Sequence, residues 1–139
     1  MILEPVLALQ TALRSRLINK PDVTALVPAD HIRAGSTRPD KTPCITISDG
    51  TTTLHGNDYS SQTAAWVYLD MHVWTLGAGQ DAAKEITGTV AAALSKYNLP
   101  IDGGYCDHFK VTETRFPRDP DPSYGHAVLS VEALIRWMA

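Results

Sequence analysis

Two repeating patterns of apolar and polar positions organise the chain. Apolar residues spaced by three and four predict helix, and strict alternation predicts a half-buried strand. In EPVLALQTALRSRL, Val6, Leu9, Leu13 and Leu17 follow the first spacing and Pro5 suits a first turn. An amphipathic helix therefore opens the chain and ends at Asn19-Lys20-Pro21. PDVTALV, started by Pro21 and Asp22, is a short helical turn that stops before Pro28. A second long helix is predicted over residues 80–97, on Ala83, Ile86, Val90, Ala93, Leu94 and Tyr97. Its small-residue face permits close packing on a sheet.

Alternation is clearest over residues 64–75. Val67, Leu69, Met71 and Val73 form one side, and Trp66, Tyr68, Asp70, His72 and Trp74 the other. CITISDGTTTL is a β-branched run interrupted by a turn or bulge at Asp49-Gly50. HGNDYSSQTA is a polar excursion with Gly56-Asn57 at a hairpin tip. Residues 34–43 form a loop, and Gly77 and Gly79 end the clearest strand. YCDHFKVTETRF and GHAVLSVEALIRW are two further strands separated by PRDPDPSYG. In the last, Ala127, Leu129, Val131, Ala133, Ile135 and Trp137 share a face. The element order predicts an α+β fold: a mainly antiparallel sheet with two main helices packed on one face, the second helix crossing between strands.

Composition narrows the picture without changing it. A chain of 139 residues, 44% hydrophobic and 19% charged, predicts one domain over residues 1–139. A net charge of -3 gives no broad attraction to nucleic acid or acidic membrane. No apolar run is long enough to span a bilayer, and MILEPVLALQ lacks the marks of a secretory signal, which predicts synthesis in the cytoplasm. Cys44 and Cys106 lack ligand spacing and read as reduced strand thiols.

Candidate chemistry is sparse. Asp70, His72, His108, His126 and Glu132 offer a metal-dependent enzyme as one reading, but only as scattered singles. No HExxH, HxH or paired-cysteine motif supports it. Gly77 and Gly79 precede a helix without the third glycine of a dinucleotide turn. No G-x-S-x-G surrounds any serine. Asp119 and Asp121 alternate with prolines that exclude a calcium loop, leaving a stiff acidic excursion. The face bearing Trp66, Tyr68 and Trp74 is left with two readings: the opening helix covers it, or another molecule docks on it.

Taken in order, PDVTALVPADHIR, RPDKTPCITI, VYLDMHVWTLGAGQDAAKEITGTVAAAL and RFPRDPDPSYGHAVLSVEALI resemble the tail-completion or tail-terminator family of long-tailed phages and gene transfer agents. The resemblance covers nearly the whole chain and implies a structural virion protein at the tail-neck junction. It implies no enzyme activity, cofactor, metal or membrane. The implied partners are further copies in a hexameric ring, the tail tube protein, and the head-side connector or stopper, with DNA only passing through a central channel. On that reading Trp66, Tyr68 and Trp74 are subunit-interface candidates. Asp49, His55, Asn57 and Tyr59 on one excursion, and Arg118, Asp119, Asp121 and Tyr124 on the other, are candidates for axial contacts or a channel wall. Another neck component, an adaptor or a stopper, fits the same residues.

Overall fold

The structure, a computed structural model, describes residues 3–35, 41–56, 62–77, 79–95 and 99–138. Helix α1 (Pro5–Ile18) begins with Pro5 in its first turn, and the Glu4 carboxylate accepts the Leu7 N–H at 2.7 Å. That bond satisfies one of the four N–H groups a helix start leaves without a partner. The α1 stripe Leu9, Leu13 and Leu17 is fully buried, as the spacing predicts. Helix α2 (Pro21–Thr24) and a 3-10 turn (Ala29–His31) lead into β1 (Ile32–Ala34). Strand β1 was not foreseen: three residues are too few to display a period, and only the parallel register of Ile32 against Ile45 in β2 (Cys44–Ile47) makes them a strand.

Strand β2 and β3 (Thr51–Gly56) pair in succession with the same edge of β4 (Gln62–Leu76), interrupted at residues 48–50. Gly50 makes this interruption possible, with φ +70 and so little room that a Cβ would lie 2.7 Å from the Tyr68 carbonyl oxygen. Of residues 49–63, 51–56 and 62–63 are strand, paired antiparallel as β3 and the start of β4, and Asn57 and Tyr59 lie outside the described residues. Helix α3 (Asp81–Leu94) follows, with Ala83, Ile86, Val90 and Leu94 buried; Tyr97 also lies outside the described residues. Strands β5 (Tyr105–Arg115) and β6 (Tyr124–Met138) complete the sheet.

The six strands follow the order β1-β2-β4-β6-β5, with β3 also on β4. Because β4 and β5 each pair antiparallel with β6, they run parallel to one another, and α3 is the crossover between them. Apart from β1 with β2, every pairing is antiparallel. Both long helices pack on one sheet face. There Leu9, Leu13, Ile86 and Val90 meet Val67, Leu69, Met71, Val73, Leu129, Val131 and Ile135 in one core. The fold is α+β, as the element order predicts.

Candidate docking surface

Period-two geometry sends Trp66, Tyr68, Asp70, His72 and Trp74 to the sheet face away from that core. From β6, His126, Ser130, Glu132 and Leu134 join them; from β5, Tyr105, His108 and Lys110 do so. Among the described residues, no helix covers this face, since the α1 and α3 side chains pack on the opposite one. The side chains on it form three bands along β4.

At the end nearest α3 the band is closed. The His126 ring stacks on Trp74 with centroids 3.8 Å apart and planes 7° apart, and Tyr124 meets Trp74 edge-on at 6.1 Å. Trp74 is only 3% exposed, so it offers a partner almost no surface. His72 Nδ1 lies 2.9 Å from His126 Nε2, a contact in which one ring donates and the other accepts. Burial pushes the His72 pKa below the ordinary imidazole value; Asp70 opposes the shift and Arg115 adds to it. The Gln80 side chain ties this band to the acidic loop. Its Oε1 accepts the His126 N–H at 2.9 Å, and its Nε2 donates to the Pro117 carbonyl at 3.2 Å.

In the middle band Ser130 Oγ donates to Asp70 Oδ1 at 2.7 Å, and Arg115 reaches Ser130 Oγ at 3.1 Å and Asp70 Oδ2 at 3.4 Å. This grouping brings a serine hydroxyl, a carboxylate and a guanidinium onto one face. The Ser130 proton points at a carboxylate, however, and among the described hydrogen bonds none joins it to an imidazole. The arrangement lacks the base that a nucleophilic serine requires. Partly exposed, the Asp70–Arg115 pair contributes at most about 1 kcal/mol to stability.

The third band, at the hairpin end, is open. Trp66 and Tyr68 lie with centroids 6.5 Å apart and planes 16° apart, and Tyr68 is 43% exposed. His108 and His55 meet Trp66 edge-on at 5.4 and 6.5 Å. His108 Nε2 lies 3.3 Å from Glu132 Oε1. Arg136 sits over the Tyr105 ring at 4.5 Å and binds Asp107 at 2.8 and 3.2 Å. Those hydrogen bonds hold the Asp107 carboxyl below the usual carboxylate range.

The candidate axial residues do not gather at one place. His55 lies near the start of β4 and exposed Asp49 beside its middle, in the break between β2 and β3, while Arg118, Asp119 and Asp121 lead into Tyr124, which pairs with Leu76 at the other end. The aspartates have a structural role the sequence did not reveal. Asp119 Oδ2 accepts the Asp121 N–H at 3.0 Å, and Asp121 Oδ1 accepts the Ser123 N–H at 3.0 Å and its hydroxyl at 2.6 Å. These side-chain-to-backbone turns fix the loop. The five residues of the metal reading do not converge; among the described residues no three His, Cys, Asp or Glu side chains do. Cys106, half-buried, donates to the His108 carbonyl at 3.2 Å, and burial pushes its thiol up to about 11.

An open aromatic band on one sheet face and end loops held by their own side chains form the framework of a structural protein. The chain belongs to the tail completion protein gp17 family, whose pattern it matches over residues 11–136. It is a structural protein that completes phage-like tails, and the family is not one of enzymes. Among solved structures, the chain is similar to one in the virion of a native gene transfer agent particle. The TM-score is 0.79 at 18% identity, covering 93% of this chain and 95% of that one. It is also similar to the gp17 protein of bacteriophage SPP1, with a TM-score of 0.58 at 22% identity, covering 93% and 89% of the two chains. No curated protein sequence matches it. Membership in a family of tail completion proteins overturns the metal-dependent enzyme reading of Asp70, His72, His108, His126 and Glu132.

Proposed function

We propose that this protein caps the finished tail tube as a hexameric ring, ends tube polymerisation and presents the surface on which the head-side connector or stopper docks. DNA passes through the centre of the ring at the tail-neck junction. The observation that carries this reading is the separation of the two candidate axial elements. His55, beside Ala64 and Ala65, and Tyr124, opposite Leu76, stand toward opposite ends of β4, about 36 Å apart along the strand. A subunit standing with its strands along the ring axis then offers one element to the tube protein and the other to the head side. Trp66 and Tyr68 are the subunit-contact residues, and Trp74 supports that face from within the subunit.

Abolishing expression of the protein in its native producer and imaging the particles by electron microscopy tests the reading. Tails of abnormal, scattered length beside tailless heads are the expected result. Unjoined tails of normal length would assign the protein to a neck adaptor or stopper instead. Intact particles would overturn both.

The acidic loop makes a narrower test. In a channel wall, Asp119 and Asp121 repel the phosphate backbone, so the genome slides without sticking. Replacing both with lysine changes charge and also removes the acceptors that shape the loop. Asp119→Asn with Asp121→Asn keeps a carbonyl oxygen for the same N–H groups and removes only charge. The expected outcome is normal particle yield with slower DNA ejection. Unchanged ejection would remove this loop from the channel.

A further inference from the structure

A ring requires each subunit to carry two different, complementary contact surfaces. This chain has two open apolar patches on opposite sides of its sandwich. On the outer sheet face, Trp66 sits opposite Leu134 in register, with Tyr68 and Tyr105 nearby, the two tyrosines being 43% and 59% exposed. On the helix side, an open groove of about 470 Å³ runs between α1 and residues 100–102. Its apolar lining includes Leu3, Ala8, Ala12 and Ile101, and Leu7 stands 61% exposed at its edge.

The two patches lie at the same end of the molecule. Trp66 is near the start of β4, and Tyr105 pairs with Arg136 near the end of β6. The groove is tied to that same end through Leu3. A Cβ on Gly104, which precedes β5, would lie 3.1 Å from Leu3 Cδ1 and 3.3 Å from Trp137 Cβ. Neighbours in a closed ring are related by rotation alone, so surfaces that meet must sit at equal height along the axis and on opposite sides of the subunit. Patches at unequal heights generate an open helix. Charge does not decide the pairing: Glu4 and Asp102 line the groove, and the sheet patch is flanked by both Lys110 and Glu132, which face each other across β5 and β6.

We infer that the sheet patch around Trp66 and Tyr68 of one copy seats in the α1 groove of the next copy. This assignment rests on the ring reading proposed above and specifies its interface. A sheet-to-sheet contact between two copies would be isologous and would stop at a dimer.

Full-length Leu7→Cys/Tyr68→Cys protein treated with a short bismaleimide tests it, both purified and in tails that carry the variant. Wild type, which has only Cys44 and Cys106, and each single variant serve as controls. Electron microscopy of the same tails reports independently whether a ring is present. The expected result is a covalent ladder up to six copies from the double variant and none from either single variant. A ring without a ladder overturns this interface and leaves the ring standing. Dimers from Tyr68→Cys alone overturn it in favour of sheet-to-sheet contact. Tails without a ring overturn both proposals. Because Leu7 and Tyr68 are exposed, Leu7→Asp and Tyr68→Asp should each abolish ring formation while leaving the melting temperature of the unassembled protein unchanged. A ring that persists in both variants overturns the interface.

Discussion

At the scale of single residues, exposure separates two tryptophans that alternation along β4 made equivalent. Trp74 is 3% exposed and stacked on His126, so Trp74→Ala should destabilise the subunit by about 3–5 kcal/mol, measurable by urea denaturation. Trp66 is only half-buried, so Trp66→Ala should cost the subunit less and weaken assembly more. His72 gives the protein a pH dependence. Its pKa is lowered in the folded state, so the unfolded chain takes up its proton first as pH falls. The stability this contributes is whole above about 6.5, the ordinary imidazole pKa, and is lost as pH falls below that value. Thermal melts should drop between pH 7.5 and 5.5, and by less in His72→Gln; equal drops in both would remove His72 as the cause. Cys106, with its thiol at about 11, should resist alkylation at pH 7.5 in the native state and react once urea unfolds the chain. Rapid native labelling would contradict its burial.

At the scale of elements, both long helices and every strand but β1 were legible as patterns, because burial on one side imposes a period on the sequence. The Leu9, Leu13, Leu17 stripe and the Val67, Leu69, Met71, Val73 alternation are that imprint. Strand β1 left none, being three residues long and fixed by its parallel partner. The turn or bulge read at Asp49-Gly50 is a break between two strands on one β4 edge, and it depends on a glycine. Gly50→Ala forces an L residue to φ +70 with its Cβ 2.7 Å from the Tyr68 carbonyl oxygen and 2.9 Å from Leu69 Cβ. Positive φ alone costs on the order of 1–3 kcal/mol, and the clash adds to it. Calorimetry should show a clear loss of melting temperature; an unchanged value would mean the strand break relaxes freely.

For the whole molecule, the decisive fact is which sheet face the helices take. The sequence left open whether the opening helix hides Trp66 and its neighbours. The structure puts α1 and α3 on the other face, so the aromatic wall stays available while its far end is closed by Trp74, His126 and Tyr124. Scattered histidines and acids that suggested a metal site resolve into separate pairs, His72 with His126 and His108 with Glu132. The loop aspartates, read from composition as surface charge, also serve as acceptors that shape their own loop.

Sequence alone determined the class of fold, the two faces of β4 and the absence of a familiar catalytic motif, because periodicity and motif spacing are local properties of the chain. It also carried the family resemblance, through the order of its segments. Tertiary structure decided which aromatic residues remain open, which titratable groups meet, and that the α1 groove and the Trp66 patch share one end of the molecule. Those outcomes depend on strand register and on the side from which helices approach, and both are set by contacts between residues far apart in the chain.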